Sequence, residues 1–277
     1  MWRGFVSRRT GLWKQALDSM QRALELNPRV YVNWVELGLT YLYLHQYDQA
    51  REAFAAAAAI SPGHPWINEG LSRLALQESG DTDQAMRLTD GAQNSGDATF
   101  VTGFINARLY GGRLEETLEA VRNLPDAVEV QRQVITLRED WAAQILHFLG
   151  RETEARNAAN AALFRLQGLR ARLGDDFRLD LAEARLQAIL GEDSEAVKAL
   201  VLKAAASQPE DTVDGIRVKL DIARIYAIAG LAAEAVDLLD SLLQPPSETS
   251  LITVRLDPAF DGIRGEEQFL ELMERWQ

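Results

Sequence analysis

Four arginines stand out in this sequence because of their spacing. Arg178 and Arg185 lie seven residues apart, as do Arg217 and Arg224, and the second pair starts 39 residues after the first. Seven residues make two helical turns, so each pair shares one helix face. Four guanidiniums brought together would hold an acidic peptide or a phosphate, whose oxygens fit the planar guanidinium fork. The competing reading is that they are solvated and paired with native acids such as Asp180 or Asp221. Other chemistry is sparse. His45, His64 and His147 share no metal-ligand spacing, and the absence of Cys removes thiolate catalysis, disulfides and zinc–thiolate sites. Gly111-Gly112 lacks the Gly-Lys-Ser/Thr that completes a phosphate loop, and no Gly-x-Ser-x-Gly elbow occurs. The carboxylates read as solvated helix faces. The expectation is no catalysis, no metal and no cofactor.

The elements that carry these residues follow from composition. Of 277 residues, 29 are Lys or Arg and 41 are Asp or Glu, a net charge of −12. That sign disfavours nucleic acid, which needs a basic surface. Ala and Leu occur 39 times each against only 8 Pro, which favours helix. The longest apolar run, Ala53 to Ile60, is eight residues, well short of the roughly 18 that span a bilayer. The N-terminal segment likewise has no apolar stretch of signal-peptide length. No membrane contact and a cytoplasmic location are expected.

A repeat runs along the chain. A turn residue, four residues and a small residue recur as Gly11…Ala16, His45…Ala50, Gly80…Ala85, Gly112…Thr117, Gly150…Ala155, Gly191…Ala196 and Gly230…Ala235. Gln or Glu always precedes the small residue. Glycine stops one helix by adopting positive φ, and the acid or amide enters the first turn of the next, where the helix dipole favours it. The small residue one turn on lets the two helices approach. Each pair exposes an apolar face that only a neighbouring pair can bury, which is the logic of a solenoid.

Residues 31–64 place Trp34, Leu37, Gly38, Tyr41, Ala50, Phe54, Ala57 and Pro62 at the eight signature positions of a 34-residue unit. On these residues the chain resembles the tetratricopeptide repeat family, strongly over 1–64 and by its turns thereafter. The resemblance implies an all-α, right-handed solenoid of about seven helix pairs, taken here as residues 1–248. Residues 249–277 form a C-terminal capping segment, with Phe269, Leu272, Met273 and Trp276 striping its last helix. The closing passage looks like that of bacterial regulators with an upstream output domain, so a signalling or regulatory module cut from a longer protein is expected. Its first unit then lacks most of a first helix, leaving Trp13, Leu17 and Met20 poorly covered.

Within the resemblance, the family pattern aims Val32, Val35, Leu39, Leu42 and Tyr43 into the groove, an apolar strip suited to a peptide, or else filled by the next helix. The same register turns Arg217 and Arg224 inward, with Arg178 and Arg185 as the adjacent rungs. The expected function is protein–protein interaction, with a peptide, a partner protein or another domain of the same longer protein in the groove. The alternative is a receptor for a small anionic ligand at the arginines. The segment 127–173 reads as two unusually long helices around Gly150, whose Trp141, Ile145 and Phe148 would either pack inside the solenoid or form a homodimer surface.

Overall fold

The computed structural model describes residues 1–95, 97–124, 129–130 and 135–277. Seven helix pairs follow one another: α1 (Trp2–Arg9) with α2 (Trp13–Leu26), α3 (Tyr31–Tyr43) with α4 (Tyr47–Ile60), α5 (Pro65–Glu78) with α6 (Thr82–Thr89), α7 (Ala98–Tyr110) with α8 (Leu114–Arg122), α9 (Arg138–Phe148) with α10 (Glu152–Leu173), α11 (Phe177–Leu190) with α12 (Ser194–Ser207), and α13 (Thr212–Ile228) with α14 (Ala232–Leu243). Then come α15 (Leu251–Leu256), a 3-10 turn (Pro258–Ile263) and α16 (Glu267–Arg275). The architecture is an all-α solenoid of paired helices. All seven punctuation residues have positive φ, from 55° at His45 to 77° at Gly11. His45 is the one non-glycine with positive φ among the described residues, and its turn is the costliest of the seven.

Contacts divide the chain into two compact units, each assembled from separate stretches of sequence. The first comprises residues 1–107, 210–217 and 242–256; the second comprises 108–209, 218–241 and 257–277. In the first unit, Phe54 on α4 is fully buried, and its ring lies over Gly38 on α3 and Gly70 on α5. A Cβ added at Gly38 would come within 2.8 Å of that ring. Ala50 and Ala57, on the same face of α4, are fully buried beside Val35, Leu42 and Ile67. The small residues therefore sit where helices cross, as their positions in the repeat require.

Two expectations are corrected. The first unit does have its opening helix: α1 is eight residues long, and Gly4 packs so tightly on α2 that an added Cβ would lie 2.8 Å from Met20 Cγ. Met20 is consequently fully buried, while Trp13 and Leu17 are half-buried. The arm before Gly150 is also not long. α9 has 11 residues against 22 in α10, and Glu129–Val130 pairs antiparallel with Ile135–Thr136 ahead of it. β-branched residues at Val130, Ile135 and Thr136 explain a strand pair in place of a helix. Residues 125–128 and 131–134 lie outside the described residues. Ile145 is fully buried, and Trp141 and Phe148 are half-buried.

In the second unit α16 buries Phe269, Leu272 and Met273, and the Trp276 indole donates to Asp240 of α14 at 2.8 Å. The C-terminal stripe read from the sequence is thus the packed face of this helix.

The crossing at Phe54 predicts a definite cost. Replacing Gly70 with Ala, or Ala50 with Leu, should each lower unfolding free energy by roughly 1–3 kcal/mol through overpacking. Urea unfolding measures it, and a midpoint unchanged in both variants would contradict the assigned crossing.

Candidate functional site

In the first unit, the first helices of successive pairs stand side by side. Arg8 of α1 pairs with Glu36 of α3 at 2.8 Å and donates to Thr40 at 3.0 Å. Tyr31, at the start of α3, hydrogen-bonds His64, the N-cap of α5, at 2.9 Å. α1, α3 and α5 therefore run with their N-terminal ends along one edge. Arg9 on α1 meets the start of α13, and Tyr43 on α3 and Arg73 on α5 meet the 242–256 segment. Trp2 and Val6 share a stripe with Arg9, Val32 and Leu39 with Tyr43, and Trp66, Glu69 and Gln77 with Arg73. Their separations of three, four or seven residues keep each set on one helix face.

The C-terminal ends of these stripes are sealed by the chain itself. Residues 244–250, which connect α14 to α15, lie across them as a strap. The backbone N–H of Ser247 donates to the Tyr43 carbonyl at 2.7 Å. The Glu248 carboxylate accepts from Arg217 Nε at 2.9 Å and Nη2 at 2.7 Å, and from Arg73 Nη1 at 2.8 Å. Arg73 also pairs with Glu69 one turn away. Burial by itself would raise the Glu248 pKa, yet the Arg217 and Arg73 charges override it and hold the carboxyl well below the usual range. Burial pushes the Tyr43 phenol well up, against the pull of Arg217. His45 lies beside the Ser247 and Thr249 backbone, and burial lowers its pKa. Arg9 bonds Asp211 at 2.5 Å and Asp214, closing the same end of α1 onto the start of α13.

The other residues of the stripes are less covered. Trp2 is 82% exposed and Val6 60%, while Val32, Leu39 and Trp66 are half-buried. Val35, Leu42 and Tyr43 are buried. The strip read from the sequence is thus split: Val35, Leu42 and Tyr43 are filled by the fold, and Val32 and Leu39 are half-buried.

The second unit holds the remaining arginines. Arg185 on α11 is 2% exposed, with Asp140 of α9 at 2.6 Å, Asp221 of α13 at 2.9 Å and the Ile135 carbonyl at 3.2 Å. Burial works against its charge, but the two carboxylates dominate and raise its pKa. Arg224 on α13 pairs with Asp257 at 2.7 Å and donates to the Tyr110 hydroxyl of α7 at 2.8 Å. Arg178 folds back onto the α11 N-cap, Asp176, at 2.6 Å. Every one of the four arginines singled out by spacing is therefore neutralised by a carboxylate of this chain. They do not form an open anion site, and what they can do chemically is crosslink helices. Among the described residues no group of three or more His, Asp or Glu could hold a metal ion, and no helix is long and apolar enough to cross a membrane.

Spacing located the arginines but not their partners. Tyr110 falls at the inward position that matches Tyr43 and could have been read from that register, whereas Arg73 matches Gly38, which the register does not mark as inward. Glu248 and Asp257 lie beyond the last repeat, where no periodicity marks them.

A solenoid of helix pairs with small residues at the crossings and inward-facing stripes on the first helices is the tetratricopeptide repeat architecture. Residues 41–99 match the tetratricopeptide repeat family model, which overlaps the unit at 31–64 that carries the resemblance in the sequence. Among solved structures, the chain is similar to a tetratricopeptide repeat protein from Parabacteroides merdae ATCC 43184. The identity is 15%, with a TM-score of 0.51, over 98% of this chain and 94% of that one. It is also similar to a chain of the APC/C hetero-tetramer Cut9-Hcn1, at 13% identity and a TM-score of 0.52, over 97% of this chain and 47% of that one. No curated protein matches the sequence.

The sealed end predicts an acid-sensitive contribution. A carboxyl whose folded pKa is depressed contributes stability above its unfolded pKa, about 4.3, and that contribution is lost as pH falls towards the folded value. Glu248→Gln should destabilise the protein at pH 7 by about 2–4 kcal/mol, because two half-buried guanidiniums lose their shared counter-charge. The gap between wild type and variant should narrow below about pH 4. A pH series of urea midpoints checks both; a constant gap would detach Glu248 from the titration.

Proposed function

We propose that this chain is a non-catalytic protein–protein interaction module, regulatory in role, whose partner docks on the uncovered half of the inner face in the first unit. The observation that carries the reading is the exposure of Trp2 and Val6 on the stripe whose next rung bears Val32 and Leu39. A Trp with four-fifths of its surface in water is a liability for a lone chain and an anchor for a partner, since Trp is enriched among residues that dominate binding energy. The paired arginines favour this reading over an anion receptor, because a ligand would have to displace carboxylates already in place. The tetratricopeptide architecture of the solved neighbours supports an interaction scaffold in the same way.

Site-specific photo-crosslinking tests the reading in cells. A photoreactive amino acid at Val6 and another at Leu39 should capture the same protein, and Leu39→Asp should abolish capture from Val6. The same group at Glu52, exposed on the outer helix α4, should not capture it. Adducts confined to Glu52 would sink the proposal.

A further inference from the structure

We infer that the partner presents an acidic amphipathic segment to the edge where α1 and α3 begin; this rests on the proposed docking face. The apolar part of that edge is Trp2, Val6 and Val32. Beside it stand Arg3, next to Trp2 on α1, and Arg29, in the turn leading into α3. Both are exposed, and among the described residues neither has a carboxylate partner. That sets them apart from the arginines on the inner face, each of which is matched by an acid of the chain. The position of the two helices brings the cations to one edge. The last turn of α1 is level with Glu36 and Thr40 of α3, so Trp2 and Arg3, at the other end of α1, lie towards the start of α3. Phe5 and Met1 pack in one cluster with Leu24, Leu37 and Trp34, which fixes that alignment.

Acids are missing from the same edge. Neither α1 nor α3 has an acidic residue in its first turn or a side-chain cap, so their N-terminal N–H groups add to the positive potential. Glu25, the nearest acid in sequence before Arg29, is taken by Arg22 at 2.6 Å. In a protein of net charge −12, an apolar patch flanked by two unmatched cations is where an acidic partner is attracted and elsewhere repelled. A basic partner would meet the opposite field at this edge.

Two synthetic 18-residue helical peptides test the assignment against the full chain by fluorescence anisotropy. Both carry the same Leu/Phe face; one is flanked by Glu and the other by Lys. The Glu peptide should bind at least tenfold more tightly at low salt, with the preference shrinking at 0.5 M salt as the exposed charges are screened. The double variant R3E/R29E should reverse the preference, and Val6→Asp should weaken both peptides. As a control, Arg87→Glu, exposed on α6 and outside the patch, should leave the ratio unchanged. Equal affinities, no binding of either peptide, or a preference for Lys would overturn the inference. So would binding to phosphatidylserine vesicles that the Glu peptide does not compete away, since the cations would then serve a lipid surface. Crosslinks from Val6 and Leu39 distinguish the failures: if they are present while the peptide preference is absent, the docking face stands and only its charge assignment falls.

Discussion

The Glu248 carboxylate, held between Arg73 and Arg217, is the interaction on which the first unit depends. Each guanidinium projects from a first helix towards a common interior. Taking such charges out of water is costly unless a counter-charge with good hydrogen-bond geometry meets them. The strap supplies that counter-charge and adds a main-chain bond to Tyr43 at the end of α3. The second unit solves the same problem with Asp140 and Asp221 around Arg185, and with Asp257 against Arg224. In both units, positions that a solenoid would ordinarily offer to a ligand are used to tie helices together.

Small residues set how closely those helices can come. Phe54 reaches both neighbouring first helices because Gly38 and Gly70 leave room for its ring, and Met20 is sealed because Gly4 does the same at the start. The alanines of α4 act likewise. Stability here comes from close approach over many crossings, while the ionic contacts fix which faces turn inward.

Much of this architecture is legible in the sequence because a tight turn and a close crossing each demand a particular residue type. Seven turn residues marked seven left-handed turns, and Ala50 and Ala57 are buried as periodicity required. Heptad spacing also singled out Arg185, Arg217 and Arg224, each of which meets a carboxylate of the chain. It could not tell a guanidinium awaiting a ligand from one already matched, because Glu248 and Asp257 are distant in sequence and outside the repeat. The short α1 and the pairing of Glu129–Val130 with Ile135–Thr136 were missed for local reasons. An eight-residue helix carries barely two turns of pattern, and β-branched residues outweighed the helical trend around them.

The strap has a consequence for how the chain is made. In a repeat protein each unit leans on its neighbours in sequence, so early units can settle while later ones are still being synthesised. Here Tyr43 and Arg73 receive their last partners from residues 247 and 248. Until those residues leave the ribosome, the N-terminal repeats hold Arg73 with Glu69 but without Glu248, and a helix end without its closing bond. Local wiring gives way to a long-range closure, with the slower, more concerted assembly that such closures impose. A chain stopped before the strap would be damaged at its beginning, far in sequence from the cut.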